Sequence, residues 1–539
     1  MKRHFLQVLF LLFFSLWSLR SIFHRGFMYS HDSLWHVERI QNIYSLIPTQ
    51  FPVRWSPTLD NGYGVPLFNF TYPAPYYLGA GFMALGLGPI KSYDLILLLA
   101  YFLGGVGVYL LGRRRSWVGL TAAILYLTTP YQFLDIFVRG ALGEVFALGL
   151  IPWVFLTFAQ ISTTGKLRWY SPLPFALLIL SHNFYVYLFG ALLTFFILVM
   201  YKHKRELIYV LFLSIGLSAF FLVPAFFEKN LLLFSQSNHL GYRDHFVYPL
   251  QLLYGKWNYL GSITGDNPYE MTYQLGASNL VILLFSLVVI SLQTIHRSLS
   301  RKLVWSFIVL LLGIYMMLPI SDFLWGTIPL LPSIQFPWRF LGITTIIFPL
   351  LYLELSIYFS KKNRFNLFPI VSGCLVILSI YASRNYGRPT YWMNADQFLQ
   401  YHYEYAGKTT TAQRAEIVPR WAPVERYNAD LIPEVTAGKI TNYLITPLSI
   451  SFDIDTSDSQ SIVIERNYFP TWVGEIDGHP LALSPSSTGT ISVPISSGTH
   501  SYRIHYQNTW VEKLGNLLSV LFVIALLGLL IKQYQSPNG

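Results

Sequence analysis

Two imidazoles and a carboxylate stand close together directly after the first apolar segment of the chain, in the pattern His31-Asp32-x-x-x-His36. A general base must reach the proton that it removes, and a carboxylate at the exit of a membrane span can meet both lipid-borne and aqueous substrates. Asp32 is therefore a candidate general base, with His31 and His36 as residues that orient it. The alternative is an interfacial loop whose polar groups are simply hydrated.

The same three residues also suggest a metal site. Catalytic zinc takes three protein ligands and keeps one position open, which His31, Asp32 and His36 could provide. A divalent cation bound by oxygen atoms and shared with a substrate phosphate is the more favoured form, because no partner motif such as HExxH is present. A divalent cation therefore stays open as a cofactor, while the general-base role of Asp32 is preferred.

A second charged cluster, Arg139-Gly-Ala-Leu-Gly-Glu144 with Asp135 before it, falls at the predicted outer exit of a span. Charged residues at a membrane boundary are costly unless they are paired or used. Arg139 forms a structural ion pair with Glu144 or Asp135, or it binds a phosphate, for which its planar guanidinium is suited. In the second case Glu144 supports the site.

Two further residues at predicted helix ends carry similar alternatives. Arg339 follows Pro337-Trp338 and either snorkels to the membrane interface or acts as a second phosphate ligand facing the same cavity. His182, in Leu180-Ser181-His182-Asn183, either caps a helix or supports the catalytic residue. Together with Asp32, these residues predict an anion site beside a base.

The composition indicates that membrane helices position these residues. Of 539 residues, 53% are hydrophobic and 12% are charged, about half the charged fraction of a soluble domain, and mean hydropathy is +0.44. The net charge of +11 is better explained by basic cytoplasmic loops than by nucleic acid, which we do not expect as a partner. The single cysteine, Cys374, excludes an intramolecular disulfide and a thiolate metal site.

Apolar runs long enough to cross a bilayer recur along the chain and predict a polytopic α-helical membrane protein of about twelve transmembrane helices. The predicted spans are 5–23, 94–111, 117–134, 143–160, 169–187, 184–201, 207–226, 278–295, 303–319, 338–359, 365–381 and 512–533. The fifth and sixth overlap because they share a predicted tight turn near Ser181-His182-Asn183. Basic clusters then fall on the cytoplasmic side, at 113–115, 166–168, 202–205, 297–302 and 361–364. Both termini are predicted to be cytoplasmic.

Three regions follow from these spans. Residues 1–381 form a multi-span transmembrane domain with a long first outer loop, 24–93, in which 34–46 has the spacing of an amphipathic helix on the membrane surface. Residues 382–511 form an extracytoplasmic domain, with strand periodicity and hairpin turn pairs that predict a small β-sandwich from about 438. Residues 512–539 are the last transmembrane helix and a cytoplasmic tail.

Several motifs in this order resemble one family of bacterial membrane proteins. They are the HDxxxH pattern at 31–36, Asn61-Gly62-Tyr63-Gly64, Tyr72-Pro-Ala-Pro-Tyr-Tyr77, Arg139-Gly-Ala-Leu-Gly-Glu144, Leu180-Ser-His-Asn183, Gln335-Phe-Pro-Trp-Arg339 and the Tyr468-Phe-Pro-Thr-Trp472 tail. Nearly the whole chain resembles the proteins labelled 6-pyruvoyl-tetrahydropterin synthase-related. The pterin chemistry of that label is not expected, because the zinc histidines of the soluble enzyme have no counterpart here.

The architecture is instead similar to that of the GT-C glycosyltransferases, which take a sugar from a polyprenyl-phosphate carrier. By this resemblance Asp32 matches the catalytic acidic residue near the exit of the first helix, although Ser33 and Leu34 stand where an Asp-x-Asp motif would continue. The resemblance implies transfer from a polyprenyl-phosphate sugar to a glycan, lipid or protein, at the outer face of a prokaryotic inner membrane. Alternatives are a transporter or flippase for lipid-linked glycans and a non-catalytic scaffold of the cell envelope.

Overall fold

The computed structural model describes residues 2–199, 201–233, 241–262, 270–296, 299–361, 365–401, 417–422 and 438–535. Parts of the predicted 382–511 region, at 402–416 and 423–437, lie outside the described residues. The last four residues of the predicted tail, 536–539, lie outside them as well.

Helices dominate the described chain. They are α1 (Lys2–Ser18), α2 (Ser33–Leu46), α3 (Leu67–Phe70), α4 (Ala74–Ala84), α5 (Pro89–Leu111), α6 (Ser116–Leu127), α7 (Pro130–Phe133), α8 (Leu142–Thr164), α9 (Leu173–Ile179), α10 (Asn183–Val199), α11 (Lys204–Leu217), α12 (Ala219–Phe227), α13 (Pro249–Leu253), α14 (Ala277–Ile295), α15 (Arg301–Met317), α16 (Asp322–Thr327), α17 (Leu341–Lys361), α18 (Phe368–Ser383), α19 (Ala395–Tyr401) and α20 (Trp510–Gln535). A π-helical turn, Leu134–Arg139, follows α7, and a 3-10 turn, Pro337–Phe340, precedes α17.

The protein is a helical membrane protein with five to seven candidate spans among the described residues. Five helices are long and apolar enough to cross a bilayer: α5, α8, α14, Pro337–Ser360 and α20. Two bent pairs raise the number to seven, α11 with α12 at 74° and α15 with Pro319–Thr327 at 92°. Four further apolar helices, α1, α6, α10 and α18, are shorter. The count of twelve spans is therefore not confirmed and stays a prediction.

The tight turn predicted near Ser181-His182-Asn183, between the spans 169–187 and 184–201, is confirmed as a break at 180–182. Before the break only the seven residues of α9 are helical, so that helix is shorter than predicted. Side-chain hydrogen bonds at the break offer the backbone a competing arrangement. The hydroxyl of Ser181 donates to the carbonyl of Leu177, and Asn183 Nδ2 donates to the carbonyl of Phe70 at 2.7 Å. The break turns His182 toward the interior, where it is 6% exposed.

The helix predicted over 34–46 is confirmed as α2, but its predicted position on the membrane surface is wrong. Val37, Ile40 and Ile43 are at most 2% exposed and lie in the main hydrophobic core. Gly79 of α4 lies against Ile40, and a Cβ at that position would stand 2.8 Å from the Ile40 side chain. The helix after Asp32 is thus an internal element packed on α4 and α5.

A β region precedes the last helix, as predicted. The strands of the protein are β1 (Phe27–Met28), β2 (Trp392–Met393), β3 (Lys439–Thr446), β4 (Ser449–Thr456), β5 (Gln460–Asn467), β6 (Trp472–Ile476), β7 (His479–Leu481), β8 (Ser484–Pro485), β9 (Thr490–Ile495) and β10 (Gly498–Tyr506). One antiparallel sheet has the order β3-β4-β10-β6-β7 and another has the order β5-β9-β8, while β1 pairs with β2. Alternate residues of β4 and β10 are buried, which is the pattern of a two-sheet core.

The β region is docked on the loop that follows α2. Trp472 meets Trp55 edge to face, with ring centroids 5.4 Å apart. Arg466, which is 2% exposed, donates from Nη1 to the carbonyl of Pro57 at 2.8 Å. Asn467 Nδ2 donates to the carbonyl of Gly64 at 2.7 Å. The Asn61-Gly62-Tyr63-Gly64 stretch therefore serves as a docking surface for the β region.

Candidate functional site

Glu144 lies at the centre of a buried charged cluster at the start of α8. Its carboxylate receives two bonds from Arg139, at 2.7 and 2.8 Å, and one from Arg339 Nε at 3.1 Å. The Tyr131 hydroxyl donates a further bond at 3.0 Å, and His182 Nε2 lies 3.6 Å from Glu144 Oε1. The structure thus brings together four of the residues that the sequence predicted for the site.

The sequence around Gly140 explains how Arg139 and Glu144 come to face each other. The π-helical turn ends at Arg139, and Gly140 follows with φ of +66°, in the left-handed region that favours glycine. A Cβ at Gly140 would collide with the Ser30 hydroxyl, and one at Gly143 would collide with the Tyr72 ring. The two glycines therefore let the chain reverse between the charged residues and pack closely against the loop before α2.

Arg339 is held in one orientation by several contacts. Its Nη1 donates to the carbonyl of Ile334 at 2.6 Å and to Gln335 Oε1 at 3.0 Å. Aromatic rings of Phe184 and Phe336 lie 4.7 and 4.8 Å from the guanidinium carbon. Among the described residues, none accepts a hydrogen bond from Nη2. The guanidinium is thus fixed while one of its nitrogens keeps its donors available.

These contacts test the roles that the sequence predicted for Arg139 and Arg339. Arg339 is 6% exposed and bonded to Glu144, so its placement as a snorkelling interfacial residue is wrong. The structural ion pair of Arg139 is present with both Glu144 and Asp135, the latter at 2.7 Å. Two guanidiniums are balanced by two carboxylates. The phosphate-binding role stays a prediction, and it would have to use donors that these pairs leave available.

Asp32 is joined to the cluster through the backbone. Its N–H donates to the carbonyl of Arg139 at 2.8 Å, and the His31 N–H donates to the carbonyl of Val138 at 3.0 Å. The Asp32 side chain is half-buried and caps no helical N–H. No donor in the described part of the chain bonds its carboxylate. The Asp32 carboxylate, which no described residue bonds, therefore belongs to a residue whose backbone is anchored on that of Arg139.

His36 faces a tyrosine rather than Asp32. Arg39 Nη1 donates to the Tyr76 hydroxyl oxygen at 3.1 Å, so the Tyr76 proton is left to donate to His36 Nδ1 at 2.9 Å. Burial, reinforced by the charge of Arg39, lowers the pKa of His36 well below its usual value. His36 is therefore a neutral imidazole whose Nδ1 is engaged by Tyr76, and no contact supports its predicted orienting role toward Asp32.

The metal site considered for His31, Asp32 and His36 is not formed. The His31 ring points to the carbonyl of Tyr259, with Nε2 to oxygen at 2.8 Å, whereas the His36 ring packs on Tyr76. Within the described ranges, no group of three or more His, Cys, Asp or Glu residues is arranged to hold a metal ion. These residues therefore do not fit a divalent cation, and the reaction proposed below does not include one.

The sequence predictions did not include the aromatic side chains that pack against the charged cluster. Tyr72 stacks on Tyr76 at 5.6 Å and packs against the His182 ring at 5.1 Å, while Trp338 lies over Arg139 at 4.5 Å. Tyr72 precedes α4 and Tyr76 lies in its first turn, so their stacking had no helical spacing to signal it. The position of Trp338 had no local signal, because its partner is distant in sequence.

One protein family matches more than half of this chain. The family model described as "6-pyruvoyl-tetrahydropterin synthase related domain; membrane protein" matches residues 68–386, more than half of the chain. That range contains Arg139, Glu144, His182 and Arg339 and begins after Asp32. A search of curated proteins found no match.

One solved structure with some similarity is the crystal structure of the Archaeoglobus fulgidus oligosaccharyltransferase in complex with Zn and sulfate. It is 15% identical to this chain, with a TM-score of 0.38, and the match covers 72% of this chain and 54% of the other. The chain thus spans about half the length of that enzyme. A likeness this weak carries no conclusion about fold or activity.

Proposed function

Because this chain belongs to the 6-pyruvoyl-tetrahydropterin synthase related family of membrane proteins, we propose an activity at a membrane surface, namely transfer of a sugar from a polyprenyl-phosphate carrier. The acceptor is a hydroxyl-bearing glycan, lipid or protein. The observation that carries the proposal is Asp32, whose carboxylate accepts no hydrogen bond from a described residue and whose backbone N–H donates to the carbonyl of Arg139 at 2.8 Å. A base and a fixed cation are thereby within side-chain reach of one small ligand.

Asp32 removes the proton of the acceptor hydroxyl as that oxygen attacks the anomeric carbon. The bond between the anomeric carbon and the phosphate oxygen breaks through an oxocarbenium-like state, and its electron pair leaves with the polyprenyl phosphate. The products are a glycoside of inverted anomeric configuration, polyprenyl phosphate and a proton on Asp32. A single displacement agrees with one accessible carboxylate better than a covalent intermediate does.

Arg339 and Arg139 stabilise the departing phosphate. Glu144 holds both guanidiniums before substrate arrives, and Nη2 of Arg339 supplies donors that no described residue uses. Donors that are fixed in advance in a site poor in water stabilise developing charge at no cost in reorganisation. Losing one such donor costs about 3–4 kcal/mol, or roughly 100-fold or more in rate.

We propose that this end of the protein faces outward from a prokaryotic cytoplasmic membrane, with both termini inside. The basic clusters support this orientation, and contacts among residues predicted for the inner side agree with their lying together on one side. Gln533 Nε2 donates to the carbonyl of Leu167 at 2.8 Å, and Arg301 Nη2 donates to the carbonyl of Val199 at 3.4 Å. The β region and the charged cluster lie among residues predicted for the outer side.

The direct test supplies purified protein in proteoliposomes with radiolabelled polyprenyl-phosphate sugars and an extract of cell-envelope acceptors. We expect label to move to an acceptor with inversion at the anomeric carbon. Movement of labelled lipid between leaflets without any sugar transfer would contradict the proposal and support a transporter of lipid-linked glycans. Absence of both activities would support a non-catalytic scaffold of the cell envelope.

A further inference from the structure

A short segment between α13 and α14 contacts residues on two sides of the candidate site. We name residues Trp257–Ser262 the strap; no regular helix or strand is assigned to it. Tyr259 accepts a hydrogen bond at its carbonyl from His31 Nε2, at 2.8 Å. Three residues later, the Ser262 hydroxyl accepts from Trp338 Nε1 at 3.2 Å and lies 2.7 Å from His245 Nδ1. The strap is therefore attached to two different walls of the site.

One attachment is beside the proposed base and the other is beside the proposed cation. His31 is the neighbour of Asp32, whereas the Trp338 ring covers the Arg139 guanidinium at 4.5 Å. Three residues of extended chain reach about 10 Å at most, so the strap passes directly from the base to the cation. A sugar phosphate held between them would lie under the strap.

Side-chain contacts hold the strap in this position. Besides the two attachments, the Tyr259 hydroxyl donates to the carbonyl of Arg388 at 2.9 Å, Trp257 stacks on Tyr386 at 4.3 Å, and both rings pack against the hydrophobic core. A segment outside helices and strands opens at a lower free energy than they do. Loss of either attaching hydrogen bond should therefore lower measurably the free energy needed to open the strap.

The geometry also restricts what His31 can do. A carbonyl oxygen only accepts hydrogen bonds, so His31 Nε2 carries a proton that it donates to Tyr259. That nitrogen is then available neither as a base nor as a metal ligand. We propose that His31 is a positioning residue, which holds the strap over Asp32 and so keeps water from the sugar phosphate during transfer. The assignment rests on the proposed transferase function.

A pair of substitutions separates this role from a catalytic one. His31→Gln keeps an N–H that can donate to Tyr259, whereas His31→Ala removes it. We expect His31→Ala to increase amide hydrogen exchange in 257–262, to lower transfer about fivefold, in line with one lost hydrogen bond, and to increase release of free sugar from the donor. His31→Gln restores all three toward the wild-type values. His500→Ala, in an exposed pair with Asp477 in the β region, is the matched control.

Unchanged exchange of the strap in His31→Ala would overturn the proposal. So would a His31→Gln variant as inactive as His31→Ala, because that result would assign His31 an acid, base or ligand role. The exchange measurement needs no substrate. If the wild-type protein transfers no sugar, the proposed function fails, while the attachment of the strap by His31 is still decided by exchange alone.

Discussion

At the scale of single residues, Arg339 has the most specific task, since its guanidinium meets Glu144, a backbone carbonyl, an amide and two aromatic rings. We predict that Arg339→Lys weakens donor binding about 100-fold, because an ammonium keeps the charge but loses the planar set of donors. Binding of a polyprenyl-phosphate sugar to detergent-solubilised protein measures the change. Arg243→Lys, at the exposed ion pair with Asp322, is the control and should bind as wild type does.

The sequence predicted which charged residues would meet but not how they are bonded. Arg139, Glu144, His182 and Arg339 could be grouped because each falls at a predicted helix end on one side of the membrane. Glu144 and Arg339 are 195 residues apart, and nothing local indicates that one carboxylate holds both guanidiniums. For the same reason the orientation of the His31 ring toward Tyr259 could not be predicted.

At the scale of elements, the turn between the π-helical segment and α8 depends on glycine. Gly140→Ala introduces a Cβ at a positive φ and against the Ser30 hydroxyl, and Gly143→Ala introduces one against Tyr72. We predict a destabilisation of about 1–3 kcal/mol for each, the usual cost of overpacking. Thermal unfolding in detergent measures it.

Gly190→Ala in α10 is the matched control, because a Cβ there would meet nothing within 4 Å. Alanine is the better helix former by about 1 kcal/mol, so this variant should unfold at the same temperature or higher. Equal stability of all three alanine variants would show that the turn tolerates a side chain.

Periodicity predicted helices and strands well where a segment kept one hydrophobic period along its whole length. The alternation in 449–506 predicted the strands, and the Asp477-Gly478 pair, with φ of +49° and +79°, forms the expected hairpin turn. The polar residues Ser181-His182-Asn183 predicted the turn at 180–182, but hydropathy overestimated the length of the helix before it. The hydrogen bond from Asn183 to the distant carbonyl of Phe70 leaves no signal in a hydropathy window.

At the scale of the whole molecule, a buried polar cluster ties the first loop, the last helix and the end of α12 together. Arg54 Nη2 donates to Asn516 Oδ1 at 2.7 Å, and Asn69 Nδ2 donates to Glu512 at 2.5 Å. Thr509 donates to Glu228 at 2.5 Å. Burial, and more weakly the charge of Glu512, raises the pKa of Glu228 to about 7.

This shift predicts a pH dependence of stability. The usual pKa of a glutamate is 4.5 and that of Glu228 in the folded chain is about 7, so between these pH values the folded state binds a proton that the unfolded state lacks. Its contribution to stability is therefore present at low pH and lost as the pH rises through about 7. We predict that Glu228→Gln gains in unfolding temperature relative to wild type between pH 5 and pH 8.5.

Glu206→Gln, at the start of α11, controls for the general effect of removing a carboxylate and should show no such trend. A constant difference between Glu228→Gln and wild type across this pH range would contradict the role assigned to burial. The cluster itself was not predictable, since its members come from four separated segments and each is an ordinary polar residue in its local sequence.

The proposed sugar transfer depends most on Asp32, which acts on the acceptor while the arginines hold the donor. The direct measurement is the rate of sugar transfer by Asp32→Asn, set beside its affinity for the donor, with Asp458→Asn in the β region as control. A lost general base costs about 100-fold or more in rate. We predict that loss with donor affinity unchanged. Full transfer by Asp32→Asn would contradict the mechanism.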